Sequence, residues 1–306
     1  MNIYFAPLQG YTEDTYRRLH HTLAGGITHY VSPFIRLEHG GIRSKDMRDV
    51  RPEFNEGVPF VPQIIAKDVE EFLTLTQYLY QQNYRQIDVN MGCPFPLQAR
   101  HGRGAGLLQN PEHVANILSA MSDFSDVKFS VKMRLGQDNA EEGFNLIPLL
   151  NAAPLQHITL HPRLGKQQYK GEVNMEGFRQ FADAITHPLI YNGDIHNIAD
   201  IQRIEQQFPN LKGVMIGRGL LARPSLAIEY AEGKEWDDAL RINLIKRLHD
   251  GYYESLSNII PGEAQLLSKL QTFWDYMSED LLGKKLLKKI RKTGSLNNYL
   301  RAVHEL

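Results

Sequence analysis

The stretch Ile87-Asp88-Val89-Asn90-Met91-Gly92-Cys93-Pro94 runs an apolar segment straight into a Gly/Pro turn, and that turn holds the only cysteine in 306 residues. Short apolar runs bounded by turn residues read as buried strands. A thiol at the exit of such a strand faces whatever lies beyond it rather than the packed interior. The same signature recurs in both directions along the chain. Strands are expected at residues 3–7, 28–34, 60–65, 86–90, 128–133, 157–161, 188–192 and 213–216. Amphipathic segments of helical length separate them, among them 69–81, 111–121 and 175–185. Asp68 and Asn110 are placed to cap the first two, with Pro111 at the first helical position of the second. Eight strands alternating with helices predict the α/β class and a parallel (β/α)8 TIM barrel. An open dinucleotide-binding sheet fits less well, because the turn after the first strand, Pro7-Leu8-Gln9-Gly10, lacks the Gly-x-Gly-x-x-Gly pattern.

After Gly217-Arg218-Gly219 the alternation stops. Residues 238–255, 262–277 and 281–291 carry a helical period, and Gly233 with its polar neighbours marks the joint. The expected division is a catalytic barrel over 1–235 followed by a small all-helical C-terminal domain over 236–306. A formal net charge of −1 excludes any global attraction to nucleic acid or anionic membrane, so a basic surface has to be local. One cysteine cannot close an intrachain disulfide, which suits a reducing compartment. The opening MNIYFAPLQG has no signal-peptide pattern, and no apolar run is long enough to span a bilayer. A cytoplasmic protein is expected.

Ligands of such barrels collect at the C-terminal ends of the strands. Polar residues stand at six consecutive ends: Gln63, Asn90 with Cys93, Lys132, His161 with Arg163, Asn192-Gly193-Asp194, and Gly217-Arg218. The glycines after the last two strands let backbone N–H groups approach a phosphate, and Arg218 adds charge. Lys132 is a lone lysine in an apolar run, which calls for an anionic partner. His161 alone reads as a satisfied core imidazole; with Lys132 and Asn192 it forms part of a polar ring around a ligand. The run Gly102-Arg103-Gly104-Ala105-Gly106 follows no strand directly and reads as a flexible loop over the barrel mouth. No His/Cys/Asp/Glu cluster has metal-ligand spacing, so no catalytic metal is expected.

IDVNMGCP followed by GRGAGLL, VKMRLG, an H-x-R segment with a downstream Tyr, YNGDI and VMIGRGLL resembles the tRNA-dihydrouridine synthases in order and spacing. The resemblance implies an FMN-bearing barrel, reduced by NADPH, that converts a uridine of tRNA to dihydrouridine. It implies FMN contacts at Pro7, Leu8, Gln9, Gln63, Lys132, His161, Asn192, Gly193, Asp194, Gly217 and Arg218, and Cys93 as the proton donor. It places Asn90 at the uracil edge, Arg163 and Tyr169 near the base or its neighbours, and Arg36 of FIRLEHG at the RNA; Tyr169 and Phe95 are stacking candidates for an extruded base, the alternative being that both pack in their loops. That segment and the chain length are similar to the bacterial C-type enzymes, which act on D-loop uridine 16. The family is mostly monomeric, and its helical tail helps to hold the RNA. Two departures touch the RNA side: Phe95-Pro96-Leu97-Gln98 after the Gly-Cys-Pro motif, and Pro162 and Leu164 around Arg163.

The tail also carries six cations in nine residues, Lys284 to Lys292, with Leu286, Leu287 and Ile290 spaced to face a core. In a chain of net charge −1 this reads as a phosphate-binding face containing Lys288 and Arg291, extended by Lys269, Arg100 and Arg103. Two other readings stay open on the residues alone: an FMN barrel acting on a small free pyrimidine, and a tRNA-binding protein without redox activity.

Overall fold

The computed structural model describes residues 1–306. Eight parallel strands close into a barrel: β1 (Asn2–Phe5), β2 (His29–Val31), β3 (Phe60–Val61 and Gln63–Ile64), β4 (Gln86–Met91), β5 (Lys128–Gly136), β6 (Leu155–Leu164), β7 (Leu189–Asn192) and β8 (Gly213–Ile216). β1 pairs with both β2 and β8, and closure comes at β3. Its first piece pairs with β2 and its second with β4. Pro62 separates the two pieces because it has no N–H to give a ladder. The expected single strand over 60–65 is therefore two.

Burial is nearly continuous along β4, β5 and β6, as expected where helices cover a parallel sheet from outside. Val69–Gln81 shows how the helices attach: Asp68 accepts the Glu71 N–H at 2.9 Å, and Phe72, Leu75 and Leu79 form the buried face. Asn110 caps Pro111–Ala120 in the same way. Inside the ring, strand faces alternate in character. Tyr4, Ala6, Val31, Val61, Ile190 and Met215 make a small apolar cluster of their own. Gln63, Asp88, Asn90, Ser130, Lys132, Thr159, His161 and Asn192 are polar and lie at inward registers of β3 to β7.

β5 and β6 run three residues further than expected, so Lys132 and His161 lie within strands rather than at their ends. The tail also differs from expectation. It holds five helices: Asp238–Ser257, Glu263–Thr272, Glu279–Leu282, Lys284–Arg291 and Leu296–Val303. Gly283, at φ +80°, breaks the expected 281–291 helix, and Ser295 caps a last helix that the sequence reading did not identify. A short hairpin, Leu37–Glu38 with Gly41–Ile42, and the helix Ser44–Asp49 were likewise not expected.

Asp238–Ser257 packs along α1 (Asp14–Leu23), closely enough that a Cβ on Gly251 would stand 2.7 Å from Leu19 Cδ2. The joint is held by Glu229, fully buried, which accepts from Arg223, Arg241, Ser225 and the Trp236 N–H. Burial works against that carboxylate, but the four donors win and hold it down at about 2. No helix is long and apolar enough to cross a membrane.

Candidate active site

A cleft of about 860 Å³ opens at the C-terminal ends of the strands, a size usual for ligand sites. Its charged lining is lopsided: Arg36, Arg43, Lys45, Lys132, Arg134 and Arg218 face one carboxylate, Asp194. In a chain of net charge −1, such an excess marks a site for an anion.

The floor is built from oriented amides. Lys132 Nζ donates to Asn192 Oδ1 at 2.8 Å, and Asn192 Nδ2 donates to the Met215 carbonyl at 2.8 Å. Burial, with Arg134 adding repulsion, pulls the Lys132 ammonium down to about 8. His161 is more strongly affected: burial first, then the surrounding cations, hold its pKa well below the usual imidazole value. Arg163 Nη1 lies 3.1 Å from His161 Nε2 and can only donate, so the neutral ring keeps its proton on Nδ1.

Cys93 lies on the cleft wall. Its N–H and that of Gly92 both reach Asn90 Oδ1, at 2.8 and 3.1 Å, and Arg134 Nε holds the Gly92 carbonyl at 3.0 Å. Behind the turn, Gly104–Gln109 forms a 3-10 helix, with the Ala105 N–H on the Cys93 carbonyl at 3.0 Å. Gly104 has φ +59°, and a Cβ there would stand 2.6 Å from the Cys93 oxygen. The segment expected as a flexible loop over the mouth is a buried buttress for the thiol. Only glycine fits that position. Burial pushes the Cys93 thiol up, although the Phe95 N–H and the nearby cations oppose it.

The last two strand ends carry the expected glycines. A Cβ on Gly193 would meet Val173 at 2.9 Å, and one on Gly217 would meet Leu8 at 3.2 Å. Asp194 holds φ +41°, a strained value for a side-chain-bearing residue, clamped by Arg163 and by Arg218 at 3.1 Å. Burial alone would raise its pKa, but the two guanidiniums lower it.

The family model described as dihydrouridine synthase matches residues 4–297. The chain belongs to the dihydrouridine synthase family. Members of this family are flavin-dependent oxidoreductases that reduce uridine in tRNA using NAD(P)H. Among relatives, a tRNA-dihydrouridine(16) synthase of Cupriavidus necator is 28% identical over 264 residues, 81% of each chain. One of Neisseria meningitidis serogroup A is 28% identical over 74% of this chain and 69% of its own length. A tRNA-dihydrouridine synthase B of Yersinia pestis is 28% identical over 90% of this chain and 86% of its own. Among solved structures, morphinone reductase aligns over 77% of this chain and 87% of its own with TM-score 0.55 and 11% identity, a likeness of fold alone.

The cleft of this dihydrouridine synthase brings together Pro7, Leu8, Gln9, Arg36, Gln63, Asn90, Cys93, Lys132, His161, Tyr169, Asn192, Gly193, Asp194, Gly217 and Arg218. Six expected residues are not among its lining, Arg100 being simply exposed on the surface. Arg163 is a buried strut between Asp194, His161 and the Gly171 carbonyl. Lys269 is spent on Glu13 at 2.7 Å and the Gly10 carbonyl at 2.6 Å. Arg291 donates to the Trp274 carbonyl at 3.0 Å and to the Asp275 carbonyl at 3.3 Å, and Lys288 is exposed. Arg103, expected to extend the basic face, is a two-pronged partner of Glu71.

Lining residues that escaped the sequence reading include Arg43 and Lys45 at the rim, Arg134 and Tyr276. Arg134 directly follows the expected end of β5 at residue 133, where the sequence reading settled on Lys132 alone. Tyr276 reaches the rim from the tail, edge-on to Tyr11 at 4.9 Å, and Tyr11 is tied to Asp275 at 3.0 Å. No local pattern announces that a tail residue folds back over a barrel. No group of three or more His, Cys, Asp or Glu is placed to hold a metal ion.

Proposed function

We propose that the cleft reduces the C5–C6 bond of tRNA uridine 16, with Cys93 as the acid that protonates C5. The observation that carries this reading is the thiol on the wall of a cation-rich cleft, with burial keeping it protonated at neutral pH. Bound FMN, reduced by NADPH, supplies the hydride that C6 receives.

The residues present fit that group. Lys132 is a half-buried cation with only an amide for a hydrogen-bond partner, and Gly193 and Gly217 leave room that a Cβ would fill. Lys132 and Arg218 would answer its negative charge; Gln63, His161, Asn192, Asp194 and the Pro7-Leu8-Gln9 turn would orient it. On proton transfer the S–H bond breaks and C5–H forms. The thiolate left behind is steadied by Arg134 first and then by Lys132 and Arg36, until solvent returns a proton.

Asn90 keeps one N–H beyond its bond to Gln63 for a carbonyl edge of the base. The base has to leave its stack to reach this depth, which costs a few kcal/mol. Phe95 and Tyr169 are large, exposed rings at the mouth and stack on it or its neighbours. Arg36, Arg43 and Lys45 at the rim, and Lys284, Lys285 and Lys288 on the tail, take phosphates, which makes residues 236–306 the RNA-facing domain of a cytoplasmic monomer. The relatives named for position 16 support the site of modification. The test is to map dihydrouridine in tRNA from cells lacking and regaining this protein. Loss confined to position 16 is expected; loss at another position would move the site, and no loss anywhere would end the proposal.

A further inference from the structure

Beneath the Cys93 turn lies a chain of hydrogen bonds that starts from a carboxylate no step above uses. Asp88 is 1% exposed and shares an inward register with Asn90, two residues along β4. Its Oδ1 accepts from Ser130 Oγ at 2.5 Å and its Oδ2 from Gln63 Nε2 at 2.6 Å. Gln63 Oε1 then accepts from Asn90 Nδ2 at 2.9 Å. Asn90 Oδ1 in turn accepts the N–H groups of Gly92 and Cys93.

Gln63 alone could sit two ways round, whereas the Gly92 and Cys93 N–H groups already require the oxygen of Asn90. The carboxylate removes that freedom, because an ionised Asp accepts and never donates. Gln63 has to turn its NH2 toward Asp88, so its oxygen faces Asn90. Asn90 has to answer with its NH2, which leaves its oxygen for the turn. An accept-only carboxylate at the buried end and donate-only N–H groups at the turn therefore demand the same sense of the chain from its two ends. The second N–H on each amide has no protein acceptor, so the floor offers donors to whatever lies on it.

We infer that Asp88 is a positioning residue: it locks the buried end of the Gln63–Asn90 relay in the sense that the Cys93 turn also requires, which holds that turn in place and makes the floor read a carbonyl edge rather than an amino edge. The choice of a carbonyl-bearing pyrimidine over an amino-bearing one rests on the proposed uridine reduction. The hold on the turn does not.

Reversal of the relay separates the two roles. In Asp88→Asn, the new amide can donate to Gln63 as well as accept from it, so the buried end no longer enforces the sense and the relay is held from the turn alone. In Asp88→Asn with Asn90→Asp, every bond can form again, the two that involve Gln63 the opposite way, because the carboxylate now sits beneath the turn and still accepts both N–H groups. As Cys93 is the sole thiol, its alkylation by iodoacetamide reports on this turn alone. The single variant is expected to change the alkylation rate by about fivefold or more, and the double variant to return to within about twofold of the parent, as for any coupled pair. Flavin-loaded double variant should still fail to reduce tRNA uridine, because the donor at position 90 is gone.

An unchanged rate in the single variant, or no recovery in the double, overturns the relay. If Asp88→Asn does not fold, a folded double variant with parental alkylation supports the relay, and a double variant that also fails to fold counts against it. A wild-type protein that never forms dihydrouridine would sink the functional reading while leaving the alkylation result standing. Full turnover by the double variant would sink the carbonyl-selection half alone.

Discussion

Two concentrations of positive charge lie in this molecule, and they are built in opposite ways. In the cleft every cation is tied down: Lys132 to Asn192, Arg134 to the Gly92 and Leu164 carbonyls, Arg218 to Asp194, Lys45 to Glu13, and Arg36 and Arg43 to Glu38. On Lys284–Arg291, by contrast, Lys284, Lys285 and Lys288 are exposed and make no ion pair, while Lys289 pairs with Glu305 and Arg291 with a carbonyl. Fixed cations in a poorly solvated cleft define a shape and a charge together. Solvated lysines define only charge, and their pull on a phosphate backbone fades with salt.

The comparison can be broken most severely at the thiol that the fixed cations surround. Cys93→Ala should keep bound flavin and its reduction by NADPH, yet lose dihydrouridine formation by about a hundredfold or more, the scale of a missing general acid. Turnover near wild type, measured by mass spectrometry of tRNA, would remove Cys93 from the mechanism. Next in size, Lys132→Met should weaken FMN binding by about tenfold, a charged hydrogen bond being worth roughly 1.5–3 kcal/mol.

The pH dependence follows from the same residue. The free protein gives up the Lys132 proton above about 8, whereas an anion beside it favours keeping that proton. FMN affinity should therefore fall as pH rises through 8 and lose part of this dependence in Lys132→Met, as read by flavin fluorescence quenching. A smaller effect is expected on the tail. Changing Lys284, Lys285 and Lys288 to Gln should lower the magnitude of the log–log salt slope for tRNA binding by about 2 and leave flavin affinity alone. Smallest of all, Lys289→Gln should shift tRNA affinity by less than about twofold, since Glu305 already offsets that charge. An equal loss from Lys289→Gln and from the three free lysines would erase the distinction.

Most of the barrel is legible in the chain because its cause is local. A strand buried on both faces has to be apolar, a helix has to show its 3.6 period, and Asp68 and Asn110 cap where caps are needed. The strand-end residues are legible for the same reason, as polar side chains that break an apolar run. Arg134 stands one residue past the expected end of β5 and was passed over because Lys132 already broke that apolar run. Gly104 was read as mobility because a glycine run looks the same whether it bends freely or lets another backbone approach; contact with Cys93 decides between them. Lys269 and Arg103 looked like free charge because their partners, Glu13 and Glu71, lie 256 and 32 residues away along the chain.

Read without coordinates, the residues determined the barrel, the helical tail, the kinship and the identity of most groups around the cleft, since each depends on side-chain type and near neighbours. Only the folded molecule decided which cations are free and which are fastened, that Tyr276 returns to the rim, and that a hydrogen-bond chain runs from Asp88 to the Cys93 turn. The physical reason is that direction belongs to pairs. A lysine, an amide or a carboxylate has its chemistry from birth, but what it donates to, and which way round, exists only once distant parts of the chain have met.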